Sequence, residues 1–558
     1  MNILVGGEAG QGLVTIGTML AKSLVRHGLH IVVTQDYQSR IRGGHNAFVI
    51  RTSDTPLSGG CAAIDLLVAL TEETITQHAD QLASHAVVMA DAKFPKDYQG
   101  ALKVPYAELA PRQYENTAAL GVIAALIGLE ESSIAQLLRE TFGKKGNEVV
   151  EKNIEALTKA YAWGAAQKKS AATLPKVSNP EQRLMMDGNE ASVLGALAAG
   201  IKFYAFYPMT PATSISLGLA AHAKHMGIMV EQAEDEIAAI NMAIGAAYAG
   251  APSMVATSGG GFALMVEGVS LAAMIETPIV IAVAQRPAPA TGLPTRTEQA
   301  DLDFVLHSGH GEFPRAIFAP GTVEECFHLT HKAFVVAEES QGPVFILTDQ
   351  YLADSYRAVA PFDLDACVPV QPIENARRVN VTGTYARYQL TESGVSPRLL
   401  PGVTEHLVVA DSDEHTEDGH LTEDLGVRVK MVEKRLAKEK IILKNAVPPD
   451  YTGDAAPDVL LVTWGSTKGP AEESVTVLRA QGTKAAQLNF SQVWPLVPDQ
   501  FMKYLANAKR VVAVEGNAFG QFARLIRRET GFEIKEKILR YDGLPLTAEW
   551  IVKKLQAM

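Results

Sequence analysis

The chain has 558 residues, 47% of them apolar and 20% charged, a length for several domains and an ordinary globular composition that excludes a single small module, collagen and wholesale disorder. With 50 Lys and Arg against 62 Asp and Glu, the net charge of −12 leaves no overall basic footprint for nucleic acid. Cys61, Cys326 and Cys367 stand far apart and outside any CxxC pair; this points to a reducing compartment, and an electron-transfer cluster, which usually takes four thiolates, is expected on another chain.

The opening MNILVGGEAGQG lacks the basic flank and long apolar run of a signal peptide. The most apolar later stretch, 277–284, falls far short of the roughly 20 residues of a membrane span, so the chain is expected in the cytoplasm with no membrane partner. An apolar run at 3–5, a glycine turn, a helical pattern over 14–25 and a second apolar run at 31–33 predict a βαβ start to a parallel α/β sheet. The turn Gly6-Gly7-Glu8-Ala9-Gly10-Gln11-Gly12 either is a tight turn or offers backbone N–H groups to a phosphate at the helix N-terminus. Its spacing is not the dinucleotide fingerprint, and it lacks the P-loop lysine. Further on, SRIRGGHN sets Arg40 and Arg42 beside a Gly-Gly turn and Asn46. The two guanidinium groups suit a phosphorylated cofactor equally as well as acidic neighbours at an interface. The α/β pattern fades near residue 166, which bounds a first domain at 1–168 and a linker rich in Lys, Ser and Pro at 169–183.

A second α/β domain spans 184–362, with buried strands expected at 203–207, 254–257, 279–284 and 344–348. The first of these runs into Tyr207-Pro208-Met209-Thr210-Pro211-Ala212-Thr213, whose hydroxyls are free to cap the next helix or to bind a ligand. Glu231 and Glu234 read as dipole partners at a helix start. Glu236 differs, because it heads a stretch of small residues reaching Gly250 that can pack very close to a neighbour, a setting that buries a carboxylate for proton work. Thr257-Ser258-Gly259-Gly260-Gly261 is a strand-to-helix turn against which a flat ring can lie, and Arg286 ends a buried strand, where it can hold a carboxylate bidentately or a structural ion partner. Residues 363–455 read as a connecting excursion, with an exposed acidic loop at 412–424 and a solvated basic helix at 429–443. A third α/β domain, 456–558, opens with a strand at 458–462 and has another at 510–515.

In this order the motifs resemble the 2-oxoacid:ferredoxin oxidoreductase family, as an α subunit with the γ domain fused at its N-terminus. GGEAGQG and SRIRGGHN are similar to the γ domain. FYAFYPMTPAT, EDEIAAINMAIGAAYAG, ATSGGGFALM and AQRPAPATGLPTRTEQAD are similar to the domain that holds the aminopyrimidine of thiamine diphosphate. VLLVTWGSTKGPAEE and VEGNAFGQFARLIR are similar to its transketolase-C-terminal-like domain. The resemblance implies a multidomain α/β fold, with Glu236 bonding the pyrimidine ring so that the cofactor's own nitrogen takes the thiazolium proton. It assigns Thr210 and Arg286 to the 2-oxoacid, with Thr257 and Ser258 lining the same cleft and Tyr207, Pro208, Gly259 and Gly260 beside the cofactor. Gly10, Gly12, Arg40, Arg42 and Asn46 are implied near coenzyme A. No GDG motif of the Mg²⁺-diphosphate signature and no cluster cysteines are present, so no metal is expected on this chain. Mg²⁺ and a [4Fe–4S] cluster are implied on a β subunit, in an (αβ)₂ assembly that reduces ferredoxin and is active only when complete.

The fused arrangement without a cluster domain is most similar to 2-oxoglutarate oxidoreductases, which make succinyl-CoA and CO₂ and in reverse fix CO₂; pyruvate and branched-chain or general 2-oxoacids are the alternatives. Arg296, Thr291, His307 and His310 are candidates for a second substrate carboxylate. From other classes, a nucleotide-binding dehydrogenase and a non-catalytic scaffold subunit remain as readings.

Overall fold

The computed structural model describes residues 1–38, 44–95, 98, 100–169, 171 and 173–558. The chain folds as two units, one of Met1–Met186, Ser355–Pro361 and Thr547–Glu549, the other of Asp187–Asp354, Phe362–Leu546 and Trp550–Met558. In the first, the buried run Ile3-Leu4-Val5 lies in β1 (Asn2–Glu8). Gly10 and Gly12, with φ of 95° and 78°, then turn the chain into α1 (Leu13–Arg26). A Cβ on Gly12 would stand 1.9 Å from Asn116 Nδ2, so backbone and space both require glycine there. The unit continues through β2 (His30–Asp36), β3 (His45–Ser53), β4 (Ile64–Ala69), β5 (Leu82–Asp91), β6 (Leu102–Val104) and β7 (Leu184–Met186).

The second unit runs α2 (Gly188–Ala198), β8 (Phe203–Phe206), α3 (Thr213–Met226), β9 (Met229–Gln232), α4 (Glu236–Tyr248), β10 (Ser253–Thr257), α5 (Gly259–Met274), β11 (Ile279–Gln285), α6 (Leu302–Leu306), β12 (Ala316–Phe318) and β13 (Pro343–Asp349). β14 (Tyr356–Val359) returns to the first unit, whose sheet has the order β6-β5-β4-β1-β3-β2-β14-β7. It is parallel across β1, β4, β5 and β6, while β3 is antiparallel to both β1 and β2. Residues 37–44 between β2 and β3 are too few for a parallel crossover, which takes a dozen or more. The β1-α1-β2 crossover is present, with β3 slotted between its strands.

β8 to β13 are mutually parallel and form the second sheet, in the order β12-β13-β11-β10-β8-β9. All four strands expected from apolar runs are there, because strands covered on both faces need no polar alternation. The third sheet is built from β15 (Asp450–Gly453), β16 (Val459–Trp464), β17 (Ala485–Phe490), β19 (Arg510–Glu515) and β20 (Glu536–Leu539), in the order β15-β17-β16-β19-β20. β18 (Gln492–Trp494) leaves it to pair with β12, and one apolar cluster, from Val255 and Ile281 to Leu460, Trp464 and Phe522, joins the two sheets.

The excursion corrects the sequence reading in two places. The 412–424 loop is largely exposed, but His415 is fully buried with its ring 4.0 Å from that of Tyr388. The basic helix is two helices, α7 (Leu425–Ala437) and α8 (Glu439–Lys444), solvated on one side, where Lys430, Glu433, Lys440 and Lys444 are exposed, but not on the other. Lys434, Arg435 and Lys438 are buried, and Lys434 Nζ donates to both oxygens of Glu276, at 2.7 and 2.6 Å. Lys438 Nζ lies 2.5 Å from the same carboxylate. The anion that draws these lysines inward follows α5, at a sequence distance that no local pattern reveals.

Candidate active site

β8 leads through α3 to β9 on one side, and β10 leads through α5 to β11 on the other. Between the carboxyl ends of β8 and β10 the connections diverge, which opens the crevice where parallel α/β sheets bind their ligands. The Tyr207–Thr213 turn and the Thr257–Gly261 turn emerge at these carboxyl ends, and Arg286 at that of the neighbouring β11. Tyr207 and Pro208 are exposed, Thr210 and Thr213 half-buried, and Thr257 and Ser258 fully buried.

Neither threonine caps α3. Its N-cap is Ala212, and the turn is tied instead by Asn189 on α2, whose Nδ2 donates to Pro211 O (2.9 Å) and Ser214 Oγ (2.7 Å). Arg286 closes it from the other side, Nη1 donating to Thr210 O at 2.7 Å. Thr210 and Arg286, singled out separately in the sequence, are thus brought together. The remaining guanidinium N–H groups have no protein partner among the described residues, and Arg286 is 8% exposed.

Asp235 caps α4, its carboxylate accepting from Ala238 N at 2.7 Å, so Glu236, the first helical residue, has no capping duty. Glu236 is buried, and its Oε1 has no hydrogen-bond partner among the described residues. A Cβ on Gly261 would meet this oxygen at 2.4 Å and Thr257 Oγ1 at 2.1 Å. The carboxylate therefore lies against the first turn of α5, admitted by the missing side chain of Gly261. Ser258, the N-cap of α5, makes no capping bond, and its buried Oγ is also unpartnered. Buried polar groups ordinarily find partners, and two left without one at the mouth of the same crevice are open to a ligand or a water.

Sequence reasoning missed Asp301. This residue is 8% exposed, its Oδ2 is unpartnered, and a Cβ on Gly259 would stand 2.3 Å from that oxygen. Burial pushes its carboxyl up to about 6 against the pull of Arg286. The segment is held in place by Gln299. Its side chain donates to Trp464 O (2.9 Å) and accepts from Gly516 N (2.9 Å), and its carbonyl accepts from Asn517 Nδ2 (3.1 Å). Asp301 N itself donates to Gln285 Oε1 at 2.9 Å. AQRPAPATGLPTRTEQAD contains Gln285, Gln299 and Asp301; only the partners of Gln299, 165 to 218 positions away, give the segment its place.

Of the candidates for a second carboxylate, Thr291 and Arg296 belong to the segment after Arg286. His310 bonds Ser270, eleven positions beyond Gly259 and about 16 Å along α5, and His307 faces Arg528; neither is brought to the turn. In the first unit, Gly10 has open space where a Cβ would be, whereas Gly12 is taken up by the turn onto Asn116. Asn46 sits opposite Gly7 in the β1–β3 ladder, its Oδ1 accepting from Gln38 N. Arg40 and Arg42 lie outside the described residues. Among the described residues no three His, Cys, Asp or Glu side chains converge as a metal site, and no helix is long and apolar enough to cross a membrane.

Two family models match. One, described as pyruvate flavodoxin/ferredoxin oxidoreductase, thiamine diP-binding, covers residues 194–434; the other, pyruvate ferredoxin/flavodoxin oxidoreductase, covers residues 2–163. The α subunit of a 2-oxoacid:ferredoxin oxidoreductase from Saccharolobus solfataricus is 32% identical over 100% of this chain and 97% of its own. The 2-oxoglutarate oxidoreductase subunit KorA of Mycobacterium tuberculosis is 28% identical over 99% of this chain and 90% of its own. The structure of 2-oxoglutarate:ferredoxin oxidoreductase from Magnetococcus marinus, with 2-oxoglutarate, coenzyme A and succinyl-CoA bound, superposes with a TM-score of 0.93 at 32% identity, covering 100% of this chain and 99% of that one.

Proposed function

The chain belongs to the 2-oxoacid:ferredoxin oxidoreductase family as an α-type subunit with a thiamine diphosphate domain, and from that premise we propose that it serves the CoA-dependent oxidative decarboxylation of 2-oxoglutarate to succinyl-CoA and CO₂, with ferredoxin as electron acceptor. The observation that carries the site is the buried, unpartnered carboxylate oxygen of Glu236 at the β8–β10 crevice. It fits an aminopyrimidine, which can offer a protonated ring N–H or an amino N–H to such an acceptor beside a bare glycine turn. Thiamine diphosphate, when bound, supplies an acidic thiazolium carbon and the electron sink for carbon–carbon cleavage. Glu236 holds the proton on the pyrimidine ring nitrogen, and Tyr207, Pro208, Gly259 and Gly260 flank the ring. Arg286, free on its remaining N–H groups, takes the carboxylate of the 2-oxoacid, with Thr210, Thr257 and Ser258 beside the keto group. Gly10, Gly12 and Asn46 remain proposed residues of the coenzyme A region.

A partner subunit completes the site. Around Glu236 the outward face of α4 and α5 exposes Ile237, Met242 and Leu264, with Gly245 bare between them. We assign this face to a β subunit that brings the diphosphate, Mg²⁺ and a [4Fe–4S] cluster, in an (αβ)₂ assembly. The Magnetococcus marinus enzyme binds 2-oxoglutarate and its likeness extends over the whole chain, which favours that acid over pyruvate and branched-chain 2-oxoacids. Initial rates of anaerobic, CoA-dependent viologen reduction by the assembled enzyme should therefore be highest on 2-oxoglutarate. A higher kcat/KM on pyruvate or 2-oxoisovalerate would keep the chemistry and discard the specificity.

A further inference from the structure

Asp301 has no part in the reaction as derived so far, yet its position is over-determined. Gln299 fixes the backbone on one side and the Gln285 side chain on the other, which sets where the carboxyl is delivered. Its main-chain N–H is bonded to the side chain of Gln285, the residue before Arg286, and its carboxyl presses on Gly259 at the start of α5 with one oxygen unpartnered among the described residues. The other titratable groups around it are Glu298 in its own segment, Glu236 across the α5 turn and Asp349, which bonds Thr297. Glu515 lies behind Asn517 on the third sheet, and Asp303 on α6 faces Arg524 at 4.0 Å. Arg286 is the cation that acts on Asp301.

We propose that Asp301 is a positioning residue acting through Arg286: its carboxylate shares the guanidinium's field in the absence of substrate and takes a proton from solvent when the carboxylate of a 2-oxoacid arrives. Two carboxylates beside one buried guanidinium cannot both stay ionised at low cost, so substrate binds best to the protonated form. The consequence is a substrate affinity that falls as pH rises. This rests on Arg286 holding the substrate carboxylate.

The test is the pH profile of KM for 2-oxoglutarate, measured on the enzyme assembled with its β subunit by anaerobic viologen reduction. The carboxyl titrates at about 6, and 2-oxoacid carboxyls stay ionised above that, so wild-type KM should rise by about tenfold per unit above it. In Asp301→Asn, which keeps shape and removes the charge, KM should vary by less than about twofold over the same range. The pH dependence of kcat should match wild type. An Asp301→Asn enzyme with the wild-type slope overturns the inference, and so, without any variant, does a wild-type KM that is flat from about pH 6 to 8. Arg286→Lys separates the two levels of argument: if KM at the acid end is unchanged in that variant, the assignment of the substrate carboxylate to Arg286 fails instead.

Discussion

Glu236→Gln should lower 2-oxoacid-dependent turnover of the assembled enzyme by about 10²–10⁴-fold, the range of a lost acid–base contribution, with the fold intact. The substitution keeps the shape of a side chain that is 3% exposed and removes the anion whose Oε1 has no protein partner. Because that oxygen has no partner among the described residues, Glu236→Gln breaks no hydrogen bond there, and its thermal midpoint should equal or exceed that of wild type. Gly261→Ala reaches the same carboxylate by displacement, since its Cβ would stand 2.4 Å from Oε1. A shift of this kind is worth on the order of 10²-fold in rate. A Glu236→Gln complex with wild-type turnover would remove Glu236 from the chemistry.

The largest stability loss is expected on the opposite side of the same domain. Glu276 is fully buried with Lys434 and Lys438, and Arg387 donates to its main-chain carbonyl at 2.7 Å. Glu276→Gln leaves two buried ammonium groups without their anion, a change that costs about 3–5 kcal/mol when a buried pair loses one partner. Denaturant unfolding of the chain with and without the substitution measures it, and a loss below about 1 kcal/mol would show that the cluster is not a structural clasp. The pH dependence has a definite sign. Burial acts to raise the Glu276 carboxyl, but Lys438, Lys434 and Arg387 outweigh it and hold the group well below the ordinary carboxylate range. Its stabilisation is therefore fully present above the unfolded carboxylate value and is lost as pH falls through the lowered one. Burial lowers the Lys438 ammonium. That penalty is present below its folded value and is relieved as pH rises toward the unfolded lysine value. Below a pH of about 4.3, where the unfolded carboxylate begins to take its proton, wild type should lose on further acidification a stabilisation that Glu276→Gln does not have.

Legibility from sequence followed the range of the interactions. Four strands of the second sheet, β8, β10, β11 and β13, were visible because each is a largely apolar run, and the Tyr207–Thr213 and Thr257–Gly261 turns because Pro, Thr and Gly have local meanings. β12 is only three residues long, and β9, exposed and ending Glu231-Gln232, has no apolar run, so Glu231 lies in a strand rather than at a helix start. Glu236 stood out through the small residues after it, a pattern of one helix. By contrast, the mixed character of the first sheet turned on the short link before β3. The basic helix near residue 434 looked solvated because its counter-anion lies 158 residues away. Asp301 and Gln299 sat in plain view in a loop, and only the closing of β16 and β19 around Gln299 made that loop a part of the site.

The central claim is that this chain holds half of a thiamine diphosphate site that a β subunit completes. It is tested most directly by anaerobic, CoA-dependent viologen reduction on 2-oxoglutarate with thiamine diphosphate and Mg²⁺ supplied, for the chain alone and for the chain co-expressed with its β subunit. No turnover is expected from the chain alone, and turnover is expected from the assembled pair. Turnover by this chain without a partner would contradict the claim.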